Sequence, residues 1–146
     1  MRPLDLYDFG VQMAASNASE AQQRNAINRI YYGLHHEACC RYFRTEQSAR
    51  PLNRNKRHTD LRDRFNRPEH PAAGRIAQFL GSLMMLRSEA DYQLNIPLRY
   101  RNRNYSPTEM MHEAIFLGQD LKRALDVYSP GDATERCECR QAYSSG

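Results

Sequence analysis

Apolar residues recur at helical spacing in four separate stretches of this chain, and no stretch alternates apolar with polar residues as a strand would. That periodicity confines the chain to an all-helical architecture. Leu4, Leu6, Tyr7, Val11, Ala14 and Ala15 mark a first helix over residues 4–15. Ser19 with Gln22 three residues on forms a capping-box pattern, in which hydroxyl and amide satisfy the open N–H groups of a helix start. The second helix then runs from about Glu20 to Arg44, with Ala26, Ile30, Leu34 and Ala38 on its apolar face. Gln47 to Lys56, rich in Asn and Arg around Pro51, reads as a basic loop, and His58 to Phe65 as a short helix ended by Pro68 and Pro71. A third long helix spans Ala73 to Leu94, stopped by Pro97 and an Arg/Asn-rich segment. Ser106, Pro107 and Glu109 announce the last helix, which continues to Tyr128. Four long helices and one short one predict an antiparallel bundle.

A chain of 146 residues is long enough for one domain with its own core. The expected domain covers residues 1–128, and the aperiodic remainder, 129–146, is expected to be a disordered tail. No apolar run nears the roughly 20 residues that cross a bilayer, and the first ten residues lack the basic-then-apolar order of an export signal. The expectation is therefore a cytoplasmic protein that does not engage membrane. Its four cysteines fall in two close pairs, Cys39–Cys40 and Cys137–Cys139, which suits reduced thiols better than a spread disulfide framework.

The net charge of +4 is unevenly placed. Arg41 to Arg67 holds nine Lys or Arg against three acidic residues, a local excess of six. Arg99, Arg101 and Arg103 form a second knot among Tyr100, Asn102, Asn104 and Tyr105. Arginine interleaved with Asn and Tyr suits phosphate contact and base stacking, so Arg54, Lys56, Arg57, His58, Arg99, Arg101 and Arg103 are the candidate nucleic-acid contacts. A solvated loop of long polar side chains is the competing reading.

The second helix carries the candidate chemistry. Arg29 and His36 are seven residues apart, about 20° short of two full turns, with Tyr32 on the same stripe. Imidazole moves protons near neutrality and guanidinium holds phosphate oxygens in bidentate fashion, which together suffice for metal-free RNA cleavage. Histidine would activate the ribose 2′-hydroxyl or protonate the leaving oxygen, while arginine would stabilise charge on the phosphate. The plainer reading is an ordinary surface or ion-paired Arg and His.

The stretch Arg29-Ile30-Tyr31-Tyr32-Gly33-Leu34-His35-His36-Glu37-Ala38 resembles the helix signature of HEPN domains. His58 with Leu61 and Phe65 resembles the central His-containing segment of one HEPN subgroup, and Leu86-Arg87-Ser88-Glu89-Ala90-Asp91-Tyr92 its Leu-Arg-x-x-Ala-Asp-Tyr segment. The resemblance covers residues 4–128 and implies an all-α HEPN-like bundle. It also implies a homodimer that cleaves RNA through an Arg-x(4–6)-His motif, in toxin–antitoxin, CRISPR-linked or other defence systems. Some members are not catalytic, and this subgroup is commonly partnered with a nucleotidyltransferase-like protein. A binding module that docks such a partner, or a nucleotide, is thus the alternative. The Arg/Asn-rich loop, the doubled histidine at His35 and the cysteine tail depart from the family pattern.

Arg87 and Asp91 are spaced to pair along their own helix, and Asp91 or Tyr92 is the candidate to orient Arg29 or His36 from behind. His35 and His36, each four residues before a cysteine, raise the question of a metal. Adjacent Cys39 and Cys40 diverge by 100°, which disfavours a shared ion, so no metal and no cofactor is expected. Met84–Met85 and Met110–Met111 read as core or dimer packing.

Overall fold

The computed structural model describes residues 1–15, 18–92 and 98–134. Over these residues the chain forms five helices and one small hairpin: α1 (Pro3–Ala15), α2 (Glu20–Thr45), α3 (Arg57–Phe65), α4 (Pro71–Tyr92), β1 (Leu98–Tyr100), β2 (Arg103–Tyr105) and α5 (Pro107–Tyr128). No described helix is long and apolar enough to cross a membrane.

Both capping boxes form. Ser19 Oγ accepts from the Gln22 amide at 3.3 Å while Gln22 Oε1 accepts from the Ser19 amide at 2.8 Å. Ser106 and Glu109 exchange the equivalent bonds at 3.0 and 3.1 Å. α2 is the axle of the bundle. Tyr7 of α1 packs on Gly33 while Gly10 packs on Ala26 and Ile30, so α1 runs antiparallel to α2. Arg24 reaches the Ala90 carbonyl whereas Arg87 lies over Tyr31, so α4 is antiparallel as well. The pairs Gln23–Thr108 and Arg41–Asp126 set α5 parallel to α2. Ile30, Leu34, Leu61, Ile76, Leu83 and Leu121 lie fully buried between these helices.

Gly33 makes the α1–α2 crossing possible. A Cβ there would sit 2.5 Å from the Tyr7 nitrogen and 2.9 Å from its Cα, and backbone cannot swing aside as a side chain can.

One expectation changes. The Arg/Asn-rich segment after α4 is not only loop: Leu98 pairs with Tyr105, Arg99 with Asn104 and Tyr100 with Arg103 in an antiparallel hairpin. Its two central residues, Arg101 and Asn102, have φ of 52° and 61°, the positive values that a tight two-residue hairpin turn requires.

Residues 129–134, which fall within the expected tail, pack against α2. Arg41, with no exposed surface, donates to Glu37 at 2.8 Å, Asp126 at 2.6 Å and Asp132 at 3.1 Å. Glu37 accepts from the Ala133 amide at 2.9 Å, and Arg44 donates to the carbonyls of Ser129, Pro130 and Gly131. Residues 129–134 are thus fastened to α2 by groups that need partners wherever they are buried. Residues 135–146, including Cys137 and Cys139, lie outside the described residues.

Candidate functional site

Burial along α2 defines the site. From Ala26 to Tyr42 every residue is buried except Asn28, Arg29, Tyr32 and His36. α1, α4 and α5 cover the other faces, so one narrow seam stays open between α1 and α4. The cation, phenol and imidazole picked out by their spacing are what the seam exposes.

Each seam residue is held from a different side. Arg29 donates to Asn25 Oδ1 and its guanidinium carbon lies 5.2 Å from the centre of the Phe9 ring, which directs it towards α1. Tyr32 is covered from α4 by Arg87, whose guanidinium carbon is 5.6 Å from the ring centre. The His36 ring stacks at 6.5 Å on Tyr32 and meets His35 edge-on at 5.5 Å. Asn28 donates to Asp91 at 3.3 Å, and Asp91 accepts from Arg87 at 3.4 Å. The α4 pair expected from sequence therefore forms, and Asp91 crosses the bundle to Asn28. Tyr92 ends α4, with its side chain outside the described residues.

Behind the seam is a layer that spacing did not reveal. Tyr31 and His58 Nδ1 share a hydrogen bond of 2.7 Å, and the His58 ring lies 4.3 Å from that of His35 and 5.7 Å from that of Tyr32. Arg87 covers Tyr31 as well, at 5.4 Å. Burial drives this layer towards its neutral forms. It pushes the Tyr31 phenol up and His35 well below the ordinary histidine value, with His58 adding to the latter effect. Burial, then Arg57 and Arg87, lower His58 to about 4. His35 and His58 are thereby neutral at physiological pH, and His36 is the partly open imidazole beside them.

His58 thus belongs to the aromatic layer and not to the basic loop. Arg54, Lys56 and Arg57 are exposed beside it, and Arg99, Arg101 and Arg103 are exposed on the hairpin. Arg101 and Arg103 lie 5.3 and 4.8 Å over the rings of Tyr100 and Tyr105. The basic excess is smaller than the sequence implies. Arg41 and Arg44 hold the segment after α5, while Arg62, Arg64 and Arg67 pair with Asp63, Asp60 and Glu46.

Cys39 and Cys40 are buried and not joined in a disulfide. Among the described residues no three His, Cys, Asp or Glu side chains are arranged to hold a metal ion. Met110 and Met111 are core residues, and Met85 is exposed. No protein-family model matches the chain, and no curated protein or solved structure matches it.

Proposed function

We propose that this chain is a HEPN-type, metal-independent endoribonuclease that works as a homodimer in a toxin–antitoxin, CRISPR-linked or other defence system. The open seam carries the reading. One partly open face of α2 brings together Arg29, Tyr32 and His36, the cation, phenol and imidazole that metal-free cleavage needs. His36 takes the proton of a ribose 2′-hydroxyl, the 2′-oxygen attacks phosphorus, and the P–O5′ bond breaks. The departing 5′-oxygen takes up the proton carried by the imidazolium, which restores neutral histidine and leaves a 2′,3′-cyclic phosphate. Arg29 neutralises the non-bridging oxygens, and Tyr32, between Arg87 and His36, positions Arg29 and His36. A dimer adds a second copy of the motif to the cleavage site.

The test is cleavage of a labelled single-stranded RNA in excess EDTA. The native protein should cleave and leave cyclic phosphate ends, while Arg29→Ala and His36→Ala should each be inactive yet folded. Activity that survives in both variants sinks the nuclease reading.

One observation favours the alternative, a non-catalytic module that docks a partner protein or a nucleotide. Phe116 and Val127 of α5 are 65% and 66% exposed and, by helical period, share one face on which a partner could settle. Co-purification of a nucleotidyltransferase-like partner, together with no RNA turnover by the pure protein, selects that alternative.

A further inference from the structure

The basic loop before α3 is built as a groove. Leu52 is 1% exposed and anchors the loop to the core. Asp60 accepts from the Asn53 amide at 2.7 Å and from Arg64 at 3.1 Å. Arg64 in turn donates to the carbonyls of Arg50 and Pro51, and it lies over the rings of Tyr42 and Phe43 at 5.8 and 5.9 Å. Asn53 Oδ1 closes a small turn by accepting from the Asn55 amide at 3.0 Å. These bonds fix the backbone around an open cavity of about 760 Å³ whose rim carries exposed Arg50, Arg54 and Lys56. Four basic side chains face a single carboxylate, and that carboxylate is already engaged by Arg64 and the Asn53 amide.

We infer that this groove is a phosphodiester subsite for single-stranded RNA, so that the ligand is a polynucleotide and not a free nucleotide. The inference rests on the RNA-directed reading of the seam. Lys56, Arg57 and His58 are consecutive, and the His58 ring lies 5.7 Å from Tyr32, so the rim adjoins the seam within a few nucleotides. Cations on a preordered backbone lose little entropy on binding and can meet successive phosphates. Asn53 and Asn55 line the same cavity, where amides can reach ribose hydroxyls and base edges. Asp60 and Arg64 are positioning residues: they hold the loop in shape and leave the phosphates to Arg50, Arg54 and Lys56.

Binding tested in the His36→Ala background separates the groove from cleavage. Labelled single-stranded RNAs of about 2 and about 12 nucleotides would be titrated between about 50 and 200 mM salt. The longer RNA should bind more tightly, and Arg54→Gln/Lys56→Gln should remove that advantage. The salt slope of log affinity should fall by about 1.4, two phosphate contacts at about 0.7 each. Asp60→Asn, which frees the loop but keeps its cations, should weaken the longer RNA with little change in slope. An unchanged slope in the double variant overturns the groove, as does a glutamate-rich peptide that competes as well as RNA. Groove-dependent binding by a native protein that cleaves nothing would keep this inference and overturn the nuclease, whereas cleavage of long RNA that is indifferent to the double variant would do the reverse.

Discussion

Acidification tests whether the layer behind the seam is neutral. The folded protein holds His58 at about 4 against an ordinary 6.5, so between those values the unfolded chain binds more protons. Stability from this residue is therefore complete above pH 6.5, falls as pH drops towards 4, and falls no further below that. Taken at face value, going from about pH 7 to about pH 5 costs about 1.8 kcal/mol at this one site. The ring is only half buried, and solvent screening reduces this to about 1 kcal/mol. His35 acts in the same direction. The assay is urea unfolding at both pH values for the native protein and His58→Gln, whose amide can still bond the Tyr31 hydroxyl but cannot titrate. Carboxylates such as Asp60 contribute equally to both proteins and cancel. The native protein should lose about 1 kcal/mol more than the variant over this interval. Equal losses would refute the reasoning, because His58 would then titrate like a solvated histidine.

Two further substitutions probe the frame that holds the seam. Gly33→Ala gains helix propensity, but its Cβ meets the Tyr7 backbone, so a net loss of about 2 kcal/mol is expected. Gly74→Ala, whose nearest neighbour is 3.9 Å away, should instead gain up to about 1 kcal/mol, and thermal or urea unfolding of the pair decides. Arg41→Met leaves Glu37 buried without its cation and should cost about 3–5 kcal/mol by urea unfolding. A loss below about 1 kcal/mol would mean that the Ala133 amide alone satisfies that carboxylate.

The helix ends that were legible in the sequence are those with side-chain caps. Ser106-Pro107-Thr108-Glu109 placed the start of α5, and Ser19 that of α2, because a capping box is local chemistry. α4 starts at Pro71, earlier than the apolar period indicates, since His70 Nδ1 accepts from the Ala73 amide at 3.3 Å and histidine is not a usual capping residue. The hairpin escaped because three-residue strands are too short to show alternation and the Arg101–Asn102 turn lacks glycine. The seam itself was legible as a stripe, since Arg29, Tyr32 and His36 share one face by helical period alone. Its partners were not, because whether His58 and Arg87 meet Tyr31 depends on how α3 and α4 pack. Likewise, spacing shows that Arg41 and Arg64 can pair with Glu37 and Asp60, but only the fold shows Arg41 fully buried and Arg64 paired at the edge of the groove.

The fastening of residues 129–134 also determines how mechanical load passes through the molecule. Tension on the chain at Ala133 is borne first by Glu37, Arg41 and Arg44, and so enters α2 directly instead of peeling α5 from its end. The helix that carries the seam is then the one a pull from that side braces. Arg29, Tyr32 and His36 stand on the same unbroken helix as that fastening.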